Sequence, residues 1–106
     1  MITGIYKITC RKNGKVYIGQ SEDIGRRKTE HWTALLKGKH PNSRLQKDFK
    51  EFGRSFAFEV VEICAVPLLN ERELFWIKEY KATDPAYGYN KSTAPYKRKK
   101  KRNKKK

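Results

Sequence analysis

The chain has 106 residues and a formal net charge of +15, from 26 basic and 11 acidic side chains. That length holds one domain with one modest core, and that charge asks for a polyanionic partner, of which nucleic acid is the commonest. No apolar run reaches the length of a membrane span and no signal peptide opens the chain, so neither insertion nor export is expected.

The charge is unevenly spread. The run from Lys97 to Lys106 contains nine basic residues and no acid, leaving 17 basic against 11 acidic residues, a net +6, for the rest. Such a run repels itself and cannot fold alone. The expected organisation is a folded domain over 1–91 and a disordered polybasic tail over 92–106. Cys10 and Cys64 lack a C-x-x-C spacing and read as reduced core thiols in a reducing, cytoplasmic compartment.

The stretch from Gly4 to Ser21 reads as two short strands folded back at Asn13-Gly14, the dipeptide that suits a two-residue type I′ turn. A loop of those two residues pairs Lys12 with Lys15, Cys10 with Tyr17, Ile8 with Gly19 and Tyr6 with Ser21. Directly paired residues share a face of a sheet. Tyr6, Ile8, Cys10, Tyr17 and Gly19 therefore lie on one side, and Gly19 leaves an open spot beside two tyrosines. The plainer alternative makes both tyrosines half-buried core aromatics.

Ser21-Glu22-Asp23 supplies capping oxygens for a helix from about Ile24 to Leu36 that ends at Gly38. Ile24, Trp32, Leu35 and Leu36, with the stem of Lys28, form its apolar stripe. Arg27 and His31 stand one turn apart at the edge of that stripe, beside the core but within reach of solvent. Arg26 and Glu30 form a solvated row farther round. After a loop carrying His40 and Pro41, Ser43 to Phe52 reads as a second helix with Leu45, Phe49 and Phe52 inward. Arg44, Lys47 and Lys50 point outward as a basic strip suited to a phosphate backbone, or else as an ordinary solvated face. Gly53 ends the helix.

Phe56 to Ile63 is β-rich and adds a third strand, with Glu59 and Glu62 on opposite faces. Pro67 opens a third helix, Leu68 to Tyr80. Leu69, Glu73, Trp76, Ile77 and Tyr80 share its inward stripe, and Leu74 and Phe75 make the neighbouring face apolar, so the helix should be mostly buried. A carboxylate on such a stripe needs a compensating partner. Either Glu73 joins a buried ion pair, with Arg72 or Arg27, or it binds a divalent metal in a cleft. The expected fold is α+β: a three-stranded antiparallel sheet flanked by three helices.

The tripeptides Gly4-Ile5-Tyr6 and Tyr17-Ile18-Gly19, joined by a hairpin and followed by a basic helix, resemble the paired motifs of the GIY-YIG endonuclease family. The resemblance runs from Gly4 to Asn90 and lies nearest the amino-terminal catalytic domains of phage intron-encoded homing endonucleases. It implies metal-dependent hydrolysis of phosphodiester bonds in double-stranded DNA, with one Mg2+ or Mn2+ ion, inside a bacterial or phage-infected cytoplasm. It assigns the general base to Tyr6, water and phosphate positioning to Tyr17 and His31, and the metal to Glu73 of Glu71-Arg72-Glu73. It adds His40, and Asn90 of Gly88-Tyr89-Asn90 as an ordering side chain, the alternatives being a plain loop histidine for His40 and a plain turn-capping role for Asn90.

Phosphodiester hydrolysis needs an activated water, a clamp for the phosphate oxygens and help for the departing oxygen. Phenol or imidazole, guanidinium and a carboxylate-held cation are the groups that supply these. Arg27 is the candidate clamp, and Gly19 the supporting gap. Arg26, Lys28, Arg44, Lys47 and Lys50, with Lys97, Arg98 and Lys99 of the tail, are the candidate DNA contacts. A monomer cutting one strand per visit is the expected working unit. Two other readings stand beside the homing nuclease: a repair or restriction nuclease of the same family targeted by a partner, and a basic nucleic-acid-binding protein without catalysis.

Overall fold

The computed structural model describes residues 1–91. The expectations placed on 92–106, including Lys97, Arg98 and Lys99, lie outside the described residues. Strands β1 (Gly4–Cys10) and β2 (Val16–Ser21) are followed by helices α1 (Ile24–Lys37) and α2 (Ser43–Phe52), strand β3 (Phe56–Ile63) and helix α3 (Leu69–Glu79). All strand pairs are antiparallel, in the order β2-β1-β3. This is the expected α+β architecture, a sheet with helices on both faces.

The alternation along β1 divides the interior into two layers. Tyr6, Ile8 and Cys10 pack with Ile24 and Leu35 of α1 and Leu45 of α2. Ile5, Val16 and Ile18 pack on the other face with Leu69 and Ile77 of α3. Both cysteines are free thiols, Cys10 buried and Cys64 partly so.

The hairpin departs from its expected register. Ile8 pairs with Tyr17, Tyr6 with Gly19 and Gly4 with Ser21, two residues away from the pairing that a two-residue turn dictates. The loop is longer because Cys10 and Lys15 close it, with Cys10 N–H donating to the Lys15 carbonyl at 2.9 Å. Of its residues only Gly14 takes a positive φ, +79°, so the type I′ turn is absent. Asn13 is engaged elsewhere: its Oδ1 accepts from Lys15 N–H and its Nδ2 donates to Asp48 of α2, both at 2.9 Å. A shift of two keeps every side chain on its expected face.

Strand β3 carries a bulge at Val61, since Ile5 pairs with Glu62 and Tyr6 already with Val60. The extra residue brings Glu59 and Glu62 onto one face instead of two. There Glu59 pairs with Lys7 at 3.1 Å, and Glu62 accepts from Arg72 Nε and Trp76 Nε1, each at 2.8 Å.

Asp23 caps α1 by accepting from Arg26 N–H, and Gly38 closes it. The inward face of α1 is rotated from expectation: Leu36 is 73% exposed, whereas His31 is 1% exposed. Gly53 stays right-handed and leads into a short 3-10 turn, Gly53–Ser55. A second such turn, Val66–Leu68, holds Pro67 ahead of α3. Helix α3 is less buried than its composition implies, with Phe75 43% exposed, because it covers only one face of a narrow sheet.

The outer edge of β2 is sealed by the segment after α3. Val16 N–H donates to the Tyr87 carbonyl at 3.1 Å, and Tyr89 N–H to the Val16 carbonyl at 2.9 Å. Next along the edge, Asn90 pairs its side-chain amide with both backbone groups of Ile18, accepting from N–H and donating to C=O at 2.9 Å each. The amide substitutes for one peptide of a fourth strand. That cover extends to Ile18, and residues 19–21 line the cleft described next.

Candidate active site

A cleft of about 520 Å³ opens at this end of β2, lined by Tyr6, Tyr17, Gly19, Gln20, Ser21, Arg26, Arg27, Glu30 and Glu73 among others. Alternation places Tyr17, Gly19 and Ser21 on the α1 face and Gln20 on the α3 face. The cleft therefore wraps the strand edge. Arg27 reaches it from one face of the sheet and Glu73 from the other.

Gly19 sits directly opposite Tyr6, and a Cβ built there would fall on the tip of the Tyr6 phenol. The open spot beside the tyrosines is thus filled by Tyr6 itself. We expect Gly19→Ala to displace that ring, lowering the melting temperature by roughly 4–16 °C, as an overpacking cost of about 1–2 kcal/mol implies. Thermal unfolding followed by circular dichroism tests this, and an unchanged melting temperature would show that Tyr6 has another place to go.

Tyr6 is 1% exposed. It stacks on Phe58 at 5.0 Å and sets its hydroxyl 2.6 Å from His31 Nε2. Burial first, then the neighbouring Tyr17, pushes the phenol well above its ordinary range; Arg27 pulls it down and Glu73 raises it again. Desolvation wins, so the resting group is a neutral phenol. Tyr17 is half-buried and meets the His31 ring edge-on at 5.6 Å.

His31 is the largest correction to the site. It is a core residue, not one at a wet edge, and its Nδ1 lies 2.8 Å from His40 Nε2. Burial, with help from Arg27 and His40, lowers its pKa to about 3, so it is neutral near pH 7. His40 is lowered too, by burial and then Arg27. The α1–α2 loop is held for this purpose by Gln46, which accepts from His40 N–H and donates to the Leu35 carbonyl.

Glu73 is 4% exposed, and its Oε1 accepts from Gln20 Nε2 at 2.8 Å. Gln20 also donates to Asn70 Oδ1, which fixes the amide against α3. Arg72, one expected ion-pair partner, instead pairs with Glu62 at 2.8 Å. The other, Arg27, has Nη1 2.9 Å from Glu30, with its side chain 35% exposed. Among the described residues no group of three or more His, Cys, Asp or Glu side chains could hold a metal ion. One buried carboxylate beside an open cleft suits a hard cation that keeps most of its water shell, as Mg2+ does.

The candidate DNA contacts separate. Arg26 lines the cleft and pairs with Glu30 at 2.6 Å. Lys28 lies over the Phe58 ring, 5.6 Å from its centroid, and Lys47 and Lys50 are exposed. Arg44 is not a free outward cation: its guanidinium donates to the carbonyls of Gly88, Tyr89 and Asn90 at 3.3–3.4 Å. Gln20, Asn42 and Gln46 were silent in the sequence, because an amide side chain has no periodic or charge signature until its partner is located.

Comparison with known proteins identifies the fold and the family. Residues 2–90 match the GIY-YIG catalytic domain family. The chain is 37% identical over 106 residues to intron-associated endonuclease 1 of Enterobacteria phage T4, an alignment covering 92% of this chain but 43% of that protein. A solved structure of the catalytic domain of intron endonuclease I-TevI, a glutamate-to-alanine mutant, superimposes with a TM-score of 0.81. It is 35% identical and covers 92% of this chain and 100% of that one. A second structure, of the catalytic domain of homing endonuclease I-TevI, gives a TM-score of 0.77 at 36% identity over 85% of this chain and 98% of that one. With both motif tripeptides paired across one hairpin and the match running from the first strand to Asn90, the chain belongs to the GIY-YIG catalytic domain family.

Proposed function

We propose that this domain is a metal-dependent endonuclease that hydrolyses phosphodiester bonds in double-stranded DNA. The observation that carries the reading is the cleft at the edge of β2, where a phenol, a guanidinium and a buried carboxylate from both faces of the sheet line one cavity. Arg27 would clamp non-bridging phosphate oxygens. Its pairing with Glu30 is at an exposed site, where such pairs contribute about 0–1 kcal/mol, so a phosphate can take Glu30's place. Tyr6 and Tyr17 both line the cleft, where the attacking water would stand, and Tyr6, once its own proton has been released to solvent in the cleft, would be the proton acceptor. Glu73, oriented by Gln20, is the residue that would hold Mg2+ or Mn2+. When bound, the cation supplies positive charge for the departing 3′ oxygen and offsets the effect of Glu73 on the Tyr6 phenol.

Arg26, Lys47 and Lys50, with the lysine-rich residues 97–106, supply sequence-independent attraction to the duplex. No helix among the described residues is long and apolar enough to cross a membrane. The chain spans less than half the length of the phage relative it matches, 43%. Homing to a particular sequence would need recognition beyond the residues that line this cleft. Incubation with supercoiled plasmid is the direct test. Nicked circles should appear before linear DNA, in Mg2+ or Mn2+ and not in EDTA. Plasmid left supercoiled under every cation tried, or cut equally well in EDTA, would sink the proposal.

A further inference from the structure

Behind Tyr6 runs a chain of hydrogen bonds whose direction the backbone dictates. Asn42 N–H donates to His40 Nδ1 at 3.1 Å. A ring nitrogen that accepts from a peptide carries no proton, so neutral His40 holds its proton on Nε2. That atom is 2.8 Å from His31 Nδ1, which must accept. Neutral His31 consequently carries its proton on Nε2, 2.6 Å from the Tyr6 hydroxyl oxygen.

We infer that His40 is a positioning residue that locks His31 in its Nε2–H tautomer, so that His31 donates to the Tyr6 oxygen and the Tyr6 proton is turned away from it. The locks are structural. Asn42 is fixed because its side chain caps α2 at Leu45 N–H and donates to the Tyr89 carbonyl. His40 is fixed by Gln46. Burial keeps both imidazoles neutral. Two consequences follow. His31 has no lone pair with which to take the Tyr6 proton, so it is not the group that deprotonates the phenol. It does place a hydrogen-bond donor on the phenol oxygen, and a donor there favours the phenolate over the phenol. The same sequence feature that looked like two scattered histidines is one rigid donor chain ending at Tyr6.

The tautomer assignment stands on the hydrogen bonds alone; its value to cleavage rests on the nuclease reading. Long-range proton–nitrogen NMR correlation of the 15N-labelled full chain near pH 7 separates the two. His31 and His40 should each show a protonated Nε2 and a bare Nδ1. His40→Gln retains an N–H donor for His31 Nδ1 and should retain the His31 pattern. His40→Phe removes the donor and should let a measurable Nδ1–H fraction of His31 appear. Its kcat should fall roughly 10- to 100-fold with KM little changed, and His40→Gln should recover most of that loss. A wild-type spectrum with His31 protonated on Nδ1 overturns the assignment. A correct spectrum with full cleavage by His40→Phe overturns the positioning role. Absence of cleavage by the wild type, with the spectrum as expected, would remove the nuclease reading and leave the tautomer in place.

Discussion

Replacing Glu73 with glutamine should lower cation-dependent cleavage by roughly 10³-fold, the loss expected when several kcal/mol of charge stabilisation disappears. Glutamine has nearly the shape of glutamate and keeps an oxygen to accept from Gln20, so the fold should survive, with a melting temperature within about 5 °C of wild type. Glu73→Ala should be equally inactive and less stable, since it takes the acceptor from one N–H of the buried Gln20 amide, which keeps only Asn70, at a cost of about 1–3 kcal/mol. Plasmid nicking rates and thermal melts of both variants decide the matter. A glutamine variant that cuts at the wild-type rate would make Glu73 a structural residue. One that unfolds would assign the carboxylate to a buried ion pair.

Tyr6→Phe should lose roughly 10²- to 10⁴-fold in cleavage, the range for removal of a proton-transfer group. DNA binding, measured by gel shift at fixed salt, should persist, because the hydroxyl contributes no charge to duplex attraction. The phenyl ring can keep its stack on Phe58, but the hydrogen bond to His31 disappears. A buried N–H without a partner then costs about 1–3 kcal/mol, so a lower melting temperature is also expected. Nicking at the wild-type rate would remove Tyr6 from the chemistry and direct attention to Tyr17.

Much of the fold was legible because its signals are local. The capping oxygens before Ile24 and the glycine at Gly38 place the ends of α1 within a residue of where they lie. The β-rich run Phe56–Ile63 is bounded as expected. Most of the misreadings come from partners that local spacing does not show. Asn13 spends its side chain on Lys15 and Asp48 instead of forming a two-residue turn with Gly14. The bulge at Val61 has no glycine or proline to mark it. His31 reads as an edge residue because its partners lie 25 positions before it and nine after it. Arg44 reads as a phosphate contact because three acceptors from residues 88–90 are invisible in a helical wheel.

The site was legible as a set of residue types and motifs, but not as a geometry. Nothing in the spacing of Arg27 and Glu73 says that they approach one cavity from opposite sides of a sheet. That meeting depends on where the cover over β2 stops, and the stopping point is set by the side chain of Asn90.

The hairpin loop carries a rule for length variation. Because β1 and β2 alternate strictly, a register slip of two leaves both tyrosines on the α1 side. A register slip of one would turn Tyr17 toward α3 and bring Ile18 around to the α1 side. The loop of this chain can therefore tolerate a change in length that keeps the strand register, and a slip by one must be absorbed by a bulge, of the kind β3 already contains.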